Sequence, residues 1–284
     1  MLLVNADDFG LTPGVNRSIV ELHAARALSS ATLMATGPFF DDAVRRAHDH
    51  PTLEVGCHIL LVDGAPVLPP SQIPSLVTSR GQLRSSLAHF VRDLLTFRIR
   101  PEEITAEATA QIRRLQAAGL RVSHIDTHKH THLFSGVLRP LLQAARACGI
   151  PSIRNPFEPA WSLRATDHAS LLRRLAVIAF HAQHRTFLRL TRDAGLATPD
   201  GTLGVLATGA RDVPGTLRAL LAAIPPAPGP RPVWELVCHP GYLDSHLAQV
   251  RTRLRSSRAL EHSALLELLP HFPLASWREL TPGM

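Results

Sequence analysis

The sequence predicts an α/β fold, a distorted or incomplete (β/α) barrel of mostly parallel strands. Short apolar runs alternate with amphipathic helical patterns almost throughout the 284 residues, the pattern of a parallel sheet with helices packed outside it. Ionisable residues fall where those runs end, at Asp7, Asp8, Asp126, His128, Arg154 and His239. In parallel barrels the active site lies at the carboxyl ends of the strands, so this placement favours a barrel over an open doubly wound sheet. A third observation argues against dinucleotide binding: no Gly-rich phosphate fingerprint follows the first strand, and Asp7-Asp8-Phe9-Gly10 cannot stand in for one.

Leu2-Leu3-Val4 opens the first strand, which ends in paired carboxylates and a glycine turn. A helix is expected over Pro13–Ala27, a strand over Ser30–Ala35, a helix over Phe40–Asp49 and a strand over Leu53–Leu61. The Pro-rich stretch from Asp63 to Ser75, running on towards Gly81, is long for a connection, and such loops beside a site act as lids or binding loops. Leu87–Thr96 reads as a helix. The next begins at Pro101-Glu102-Glu103, where proline and acids suit the free donors and dipole of a first turn, and stops at Gly119.

A strand follows over Arg121–Asp126, then a helix over Gly136–Cys148 closed by Gly149, and a strand at Ser152–Arg154. Asn155–Asp167 is a loop rich in Pro and Trp. Leu171–Leu190 reads as one basic amphipathic helix, an ordinary surface or dimer helix before a membrane anchor. A Gly-containing segment around Leu203–Leu206, a helix over Pro214–Ala223 and a connector over Pro225–Pro232 lead to the strand ending at His239. A helix through Leu269 and a final run at Leu274–Trp277 complete the chain. Neither a repeat nor a second domain is evident, so residues 1–284 are expected to form a single domain.

Composition bounds the function. The formal net charge is +7 and the isoelectric point about 10.7, yet Lys129 is the only lysine. Arginine bias of that kind reflects a GC-rich genome more than a function. A basic surface still admits nucleic acid, anionic lipid or acidic substrates, and this leaves a basic binding module as one competing reading. With a single tyrosine and few aromatics, stacking platforms for single strands are scarce, so no nucleic acid is expected. No run reaches the eighteen or so apolar residues that span a bilayer; peripheral membrane contact and a homodimer both stay open. Three widely spaced cysteines give no disulfide framework. With no leader-like segment ahead of the first strand, a cytoplasmic location is expected.

The chemistry concentrates in His124-Ile125-Asp126-Thr127-His128-Lys129-His130-Thr131-His132. Imidazole and carboxylate are the usual ligands of zinc and similar divalent metals. On a strand His124, Asp126 and His128 share one face; if the chain turns helical after His128, His128 and His132 share a helix face instead. Asp7 and Asp8 are neighbours, so both can serve one site only where the strand stops being regular. Two like charges that close also push one pKa up, which suits one as ligand and the other as base. His58 stands within the apolar run Leu53–Val62, where a lone histidine is most often a satisfied core residue. His239 ends its strand before Pro240-Gly241. Cys57 and Cys238 directly precede His58 and His239, so alternation points them away, into the packing layer behind the sheet.

Taken in order, five segments resemble the YdjC-like carbohydrate deacetylases, the chitooligosaccharide and hopanoid-associated deacetylase group. They are Asn5-Ala6-Asp7-Asp8-Phe9-Gly10, Gly56-Cys57-His58, Gly64-Ala65-Pro66-Val67-Leu68-Pro69-Pro70, the histidine run, and Cys238-His239-Pro240-Gly241-Tyr242. The resemblance implies a barrel like that of the NodB-type and TIM-like folds, one divalent ion (Mg2+ or Zn2+, with Mn2+ or Co2+ as alternatives) and an acetylated amino-sugar substrate. It places the metal on Asp8, His58 and His128, the catalytic base on Asp7, the general acid on His239, and Arg154 near the substrate. Asp126, two residues before His128, suits an acceptor for an imidazole N–H. His124, His130 and His132 are expected to orient the site or meet sugar hydroxyls. A different metal-dependent barrel hydrolase, a phosphoesterase or amidohydrolase, is the other enzymatic reading. A phosphoesterase usually wants more carboxylates bridging two metals.

Overall fold

The structure is a computed structural model that describes residues 1–166, 171–205, 207–210, 212–226 and 232–280; the side chains of 171–174 and 176 are also outside the description. Asp167, Leu206 and the middle of the Pro225–Pro232 connector, all parts of expected segments, lie outside the described residues.

Six parallel strands form one sheet: β1 (Leu2–Phe9), β2 (Ser30–Leu33), β3 (Glu54–Ile59), β4 (Val122–Thr127), β5 (Gly201–Leu203) and β6 (Trp234–Cys238). Their order is β4-β3-β2-β1-β6-β5, and the sheet curls into a half-barrel with helices outside it. The expected Ser152–Arg154 strand is present only as isolated bridges, Ile125 to Ile153 and Ser152 to Ala197. Pro151 and Pro156 flank it and cannot donate to a ladder. These bridges continue the wall beyond β4.

Most helices start and stop within a few residues of expectation, as at Phe40–Asp49 and Pro101–Ala117. Three expectations need correction. The basic segment is two helices, Leu171–His181 and His184–Asp193: the second buries Phe187 and Leu190, while Leu175 and Ile178 of the first stay exposed. The helix expected through Leu269 is two pieces, Ser245–Gln249 and Ser257–Leu268. The run Leu274–Trp277 makes one bridge, Leu274 to Leu2, and then a 3-10 turn from Trp277 to Glu279.

The outward residues of β1, Leu2, Val4 and Ala6, join the main apolar core beneath the helices. The inward side is different. Asn5, Asp7, Ser30, Thr32, Glu54, His58, His124, Asp126 and Glu235 are all buried there. Buried polar groups must be hydrogen-bonded to be tolerated, and the floor of the half-barrel shows how. Trp277 lies 2% exposed, donates Nε1–H to Ser30 Oγ at 3.0 Å, takes Glu54 as acceptor for its backbone N–H at 2.7 Å, and stacks on His124 at 3.8 Å between ring centroids. Gly56 is required beside it: a Cβ there would come within 2.5 Å of the His124 ring.

Candidate metal and catalytic centre

At the other end of the strands, β1 breaks its regularity. Its register with β2 shifts between Ala6 and Phe9, and Asp8 has φ +66°. A left-handed non-glycine residue is strained. The twist brings Asp8 round to the side that Asp7 already faces, which is the irregularity that two adjacent aspartates need in order to share a site. β4 ends comparably. His128 opens a kinked 3-10 turn in which Lys129 (φ 57°) and His130 (φ 51°) are both left-handed, so strand alternation holds for His124 and Asp126 but ends before His128, and no regular helix takes its place.

These bends gather three ligand atoms. Asp8 Oδ1 lies 3.7 Å from His58 Nε2 and 3.7 Å from His128 Nδ1. The two imidazole nitrogens are 3.2 Å apart, and the ligand atoms of the three residues all lie within 4.8 Å of one another. His58 Nδ1 donates to Asp126 at 2.8 Å, which leaves the Nε2 lone pair directed at the cluster. That is the tautomer a metal-bound histidine needs, fixed by a carboxylate behind it. Asp126 therefore serves His58, not the sequence neighbour His128. One carboxylate and two imidazoles suit a borderline divalent ion, so the donor set fits one. Asp7, His58 and Asp126 form a second close group. Arg154 is bonded to both of its carboxylates, and a guanidinium in that place opposes a metal.

Neither aspartate is raised as two close like charges would suggest, because each has its own arginine. Burial raises the Asp7 carboxyl, but the charge of Arg154, aided by His58, outweighs it and holds Asp7 well below the usual carboxylate range. Arg154 Nη2 meets Asp7 Oδ1 at 2.7 Å and Nη1 meets Oδ2 at 2.9 Å; Asn5 Nδ2 and Thr32 Oγ1 add bonds to Oδ1 at 3.0 and 3.1 Å. For Asp8, burial again raises and the neighbouring cations, Arg258 first, lower it further. Arg258 Nη2 bonds Asp8 Oδ2 and leaves Oδ1 to the cluster. Burial alone would lower His58, yet Asp126 and Asp7 lift it to about 9; the surplus negative charge there draws a cation, a proton or a metal. Burial holds His128 down at about 4 despite Asp8.

His239 stands beside Asp7. β6 is the neighbour of β1, and His239 Nε2 lies 3.8 Å from Asp7 Oδ2, side by side. Its backbone N–H donates to Glu261 at 2.5 Å, and its Nδ1 is buried without a partner. Arg154 is fully buried beneath the site and bonds Asp7, Asp126 and Glu235; it acts on the cleft through Asp7. His124 belongs to the floor. His132 is buried, with Nδ1 2.6 Å from Thr127 Oγ1. His130 lines the cleft with Asp7, Asp8, His128 and His239, and burial drives its pKa down to about 3, so it meets a ligand as a neutral imidazole.

The cleft encloses about 870 Å³, within the range of small-ligand sites. One rim is the Asp63 loop. Lys129 Nζ clamps Asp63 at 2.7 Å, while Glu107 accepts from the backbone of Val67 and Leu68 at 2.8 and 3.0 Å and Glu103 from Ser75 at 2.7 Å. The long loop is thus held by carboxylates of the helix Pro101–Ala117. The opposite rim carries Arg251, Arg253 and Arg255. Sequence reasoning missed Arg258, Glu235 and Glu261. Glu235 was within reach, since it shares a strand face with His239 four residues on.

Comparison with known proteins agrees with this architecture. The family model described as YdjC-like protein matches residues 1–270. A carbohydrate deacetylase of Brevibacillus brevis is 42% identical over 156 residues, 55% of this chain and 59% of that protein. One from Halalkalibacterium halodurans is 33% identical over 158 residues, 55% of this chain and 65% of that protein. These matches span less than two-thirds of either relative. Among solved structures, a candidate cellobiose-phosphate cleavage protein of Enterococcus faecalis superposes with TM-score 0.74 and 25% identity, covering 98% of this chain and 97% of that one. The lactam utilization protein of Thermus thermophilus shares the fold, with TM-score 0.51 and 18% identity over 97% of this chain and 99% of that one. Among the described residues, no helix is long and apolar enough to cross a membrane.

Proposed function

The chain belongs to the YdjC-like family, and on that premise we propose that it is a metal-dependent hydrolase that removes the acetyl group from an N-acetylated amino sugar. The observation that carries the proposal is the three-residue cluster Asp8, His58 and His128 opening on a cleft that Asp7 and His239 also line. Asp8, His58 and His128 would hold the ion, which when bound supplies a Lewis acid for the amide carbonyl and a lowered pKa for water.

The remaining work falls to the chain. Asp7 stays ionised, as a group that accepts a proton from water must, and the bidentate grip of Arg154 fixes its direction. Its proton affinity is low while Arg154 holds it. The base is therefore set for position more than for strength, and positioning alone can remove a large part of a reaction barrier. His239 delivers a proton to the departing nitrogen. Because His239 sits beside Asp7, both proton steps occur on the β1–β6 side of the cleft, with the ligand cluster towards β3 and β4. His130 and the clamped Asp63 loop offer a neutral imidazole and a polar rim to sugar hydroxyls.

The phosphoesterase reading is weaker here. Among the described residues, the second close group shares His58 with the first and is bonded to Arg154, so two-metal chemistry has no second seat. A calorimetric metal titration with an acetate-release assay on N-acetylglucosamine oligosaccharides tests the proposal. One ion per chain is expected, lost in His58→Ala. Asp7→Asn should keep the ion and lose at least about 100-fold in rate. Stoichiometric metal in His58→Ala, or loss of metal in Asp7→Asn with retention in Asp8→Asn, overturns the assignment.

A further inference from the structure

We propose that the end of the half-barrel on which the cleft opens docks on an anionic lipid surface, with Phe97 as its apolar anchor. The argument starts from a backbone oddity. The helix Leu87–Leu95 ends with Phe97 in the left-handed region (φ 56°), where its N–H reaches Leu94 O at 3.2 Å and Arg98 N–H reaches Asp93 O at 2.8 Å. Glycine is the ordinary residue at that position. This chain follows the rule at Gly119, Gly149 and Gly195, each left-handed after a helix, and departs from it at the polar Arg26 (φ 60°) as well as at Phe97. Phe97 breaks it and gains no packing in return, for it is 93% exposed. A left-handed position that glycine would fill without strain, given instead to an exposed aromatic ring, points to a role for the ring.

The other large apolar side chains that are more than half exposed lie at the same end. Among the described residues, Leu95, Phe97, Leu175, Ile178 and Leu243 are the large hydrophobics more than half exposed. Leu95 and Phe97 precede Pro101, where a helix begins its descent towards the start of β4. Leu243 follows the carboxyl end of β6. Leu175 and Ile178 ride on a helix whose Phe180 packs against Phe134, 5.7 Å between centroids, at the start of the helix Ser135–Ala147. Leu94 lies against Gly136 of that same start. All five therefore border the catalytic end of the strands.

Charge selects the occupant. Arg98 and Arg100 follow Phe97 in the chain and are exposed, Arg185 on the helix after Ile178 is exposed, and Arg251, Arg253 and Arg255 are exposed along the cleft rim. Asp93 is buried and bonded to Arg84 and Arg92, Asp63 is bonded to Lys129, and Glu102, just after Arg100, is exposed. Separate apolar points set among arginines form no groove for a partner helix. They match a surface where rings and leucines enter the acyl boundary and guanidinium groups lie on phosphates. The net charge of +7 adds attraction at longer range.

Flotation of the full chain with vesicles tests this. Binding is expected to phosphatidylcholine vesicles holding about 30% phosphatidylglycerol, to weaken as salt is raised, and to be absent on pure phosphatidylcholine. Phe97→Gly should weaken it about ten-fold or more, the scale of removing one aromatic ring from an apolar phase. Because glycine suits the left-handed position, the same variant should melt no lower than the parent. Ile178→Ser, from the neighbouring helix, should weaken binding in the same direction. No binding to anionic vesicles, or unchanged binding by Phe97→Gly, overturns the proposal. A solution dimer that Phe97→Gly dissociates, with no vesicle binding by the parent, also overturns it and makes the patch a protein interface.

Discussion

Replacing Arg154 by methionine tests the electrostatic design beneath the cleft. The guanidinium is fully buried and faces three carboxylates, at 2.7 and 2.9 Å from Asp7, at 2.8 Å from Glu235 and in contact with Asp126. Methionine roughly fills the volume but leaves the acids without that partner. Glu235 contributes little to the damage near neutrality, because burial, only partly opposed by Arg154, has already raised it to about 7. Asp126 keeps His58 as a partner. The uncompensated charge is chiefly Asp7, and stranding one buried charge costs about 3–5 kcal/mol. In the parent, Asp7 has a depressed pKa, so its contribution is present above the unfolded value of 3.8 and is lost as pH falls below it. In Arg154→Met burial acts on Asp7 without its main opponent, so protonation rescues the variant. Urea unfolding at about pH 8 should show the full loss, and at about pH 5 a smaller one. A loss under about 1 kcal/mol at the higher pH, or a loss independent of pH, would show that Arg154 does not neutralise Asp7.

Glu235→Gln should act in the opposite sense. A carboxyl whose pKa rises from 4.5 to about 7 on folding contributes stability that is full below 4.5 and lost as pH rises through about 7. Relative to their difference near pH 4.5, the glutamine variant should gain up to about 3 kcal/mol over the parent by about pH 8 in urea unfolding; a constant difference refutes the shift. Gly56→Ala drives a Cβ to 2.5 Å from His124 and should cost about 1–3 kcal/mol by overpacking. Adding His124→Ala should remove that cost, and strict additivity in the double-mutant cycle would mean the two do not press on each other. His239→Ala should lose about 100-fold on an N-acetyl sugar and much less on an activated acetate ester, whose leaving group needs little protonation. Equal losses on both substrates would remove His239 from the acid role.

The sheet and the cleft were legible from the sequence for one reason: the wall carries local signals. Apolar runs of strand length, a proline opening the helix at Pro101 and glycines closing others are each written within a few residues. The adjacency of Asp7 and Asp8 even required an irregular strand end, and φ +66° at Asp8 supplies it. The centre of the half-barrel was less legible because its logic is non-local. His124 stands on the same strand face as Asp126, yet only the position of Trp277, 153 residues away, makes it a floor residue stacked at 3.8 Å. Arg258 lies in a run with Arg251, Arg253 and Arg255, and nothing in composition says which of the four turns inward to Asp8 while the others stay at the rim.

That division bears on how the site keeps its charge in balance. The local motifs supply the acids and imidazoles, while the counter-charges come from distant segments: Arg154 from beyond β4, Arg258 from the helix Ser257–Leu268. Each arginine takes one aspartate of the adjacent pair, Arg154 with Asp7 and Arg258 with Asp8. Asp7 is gripped on both oxygens, whereas Asp8 is held through Oδ2 and keeps Oδ1 turned to His58 and His128. Two neighbouring carboxylates thereby differ in how many of their oxygens an arginine occupies, and the proposed division into base and ligand rests on that difference. The one left half free, Asp8, is the one proposed as the ligand.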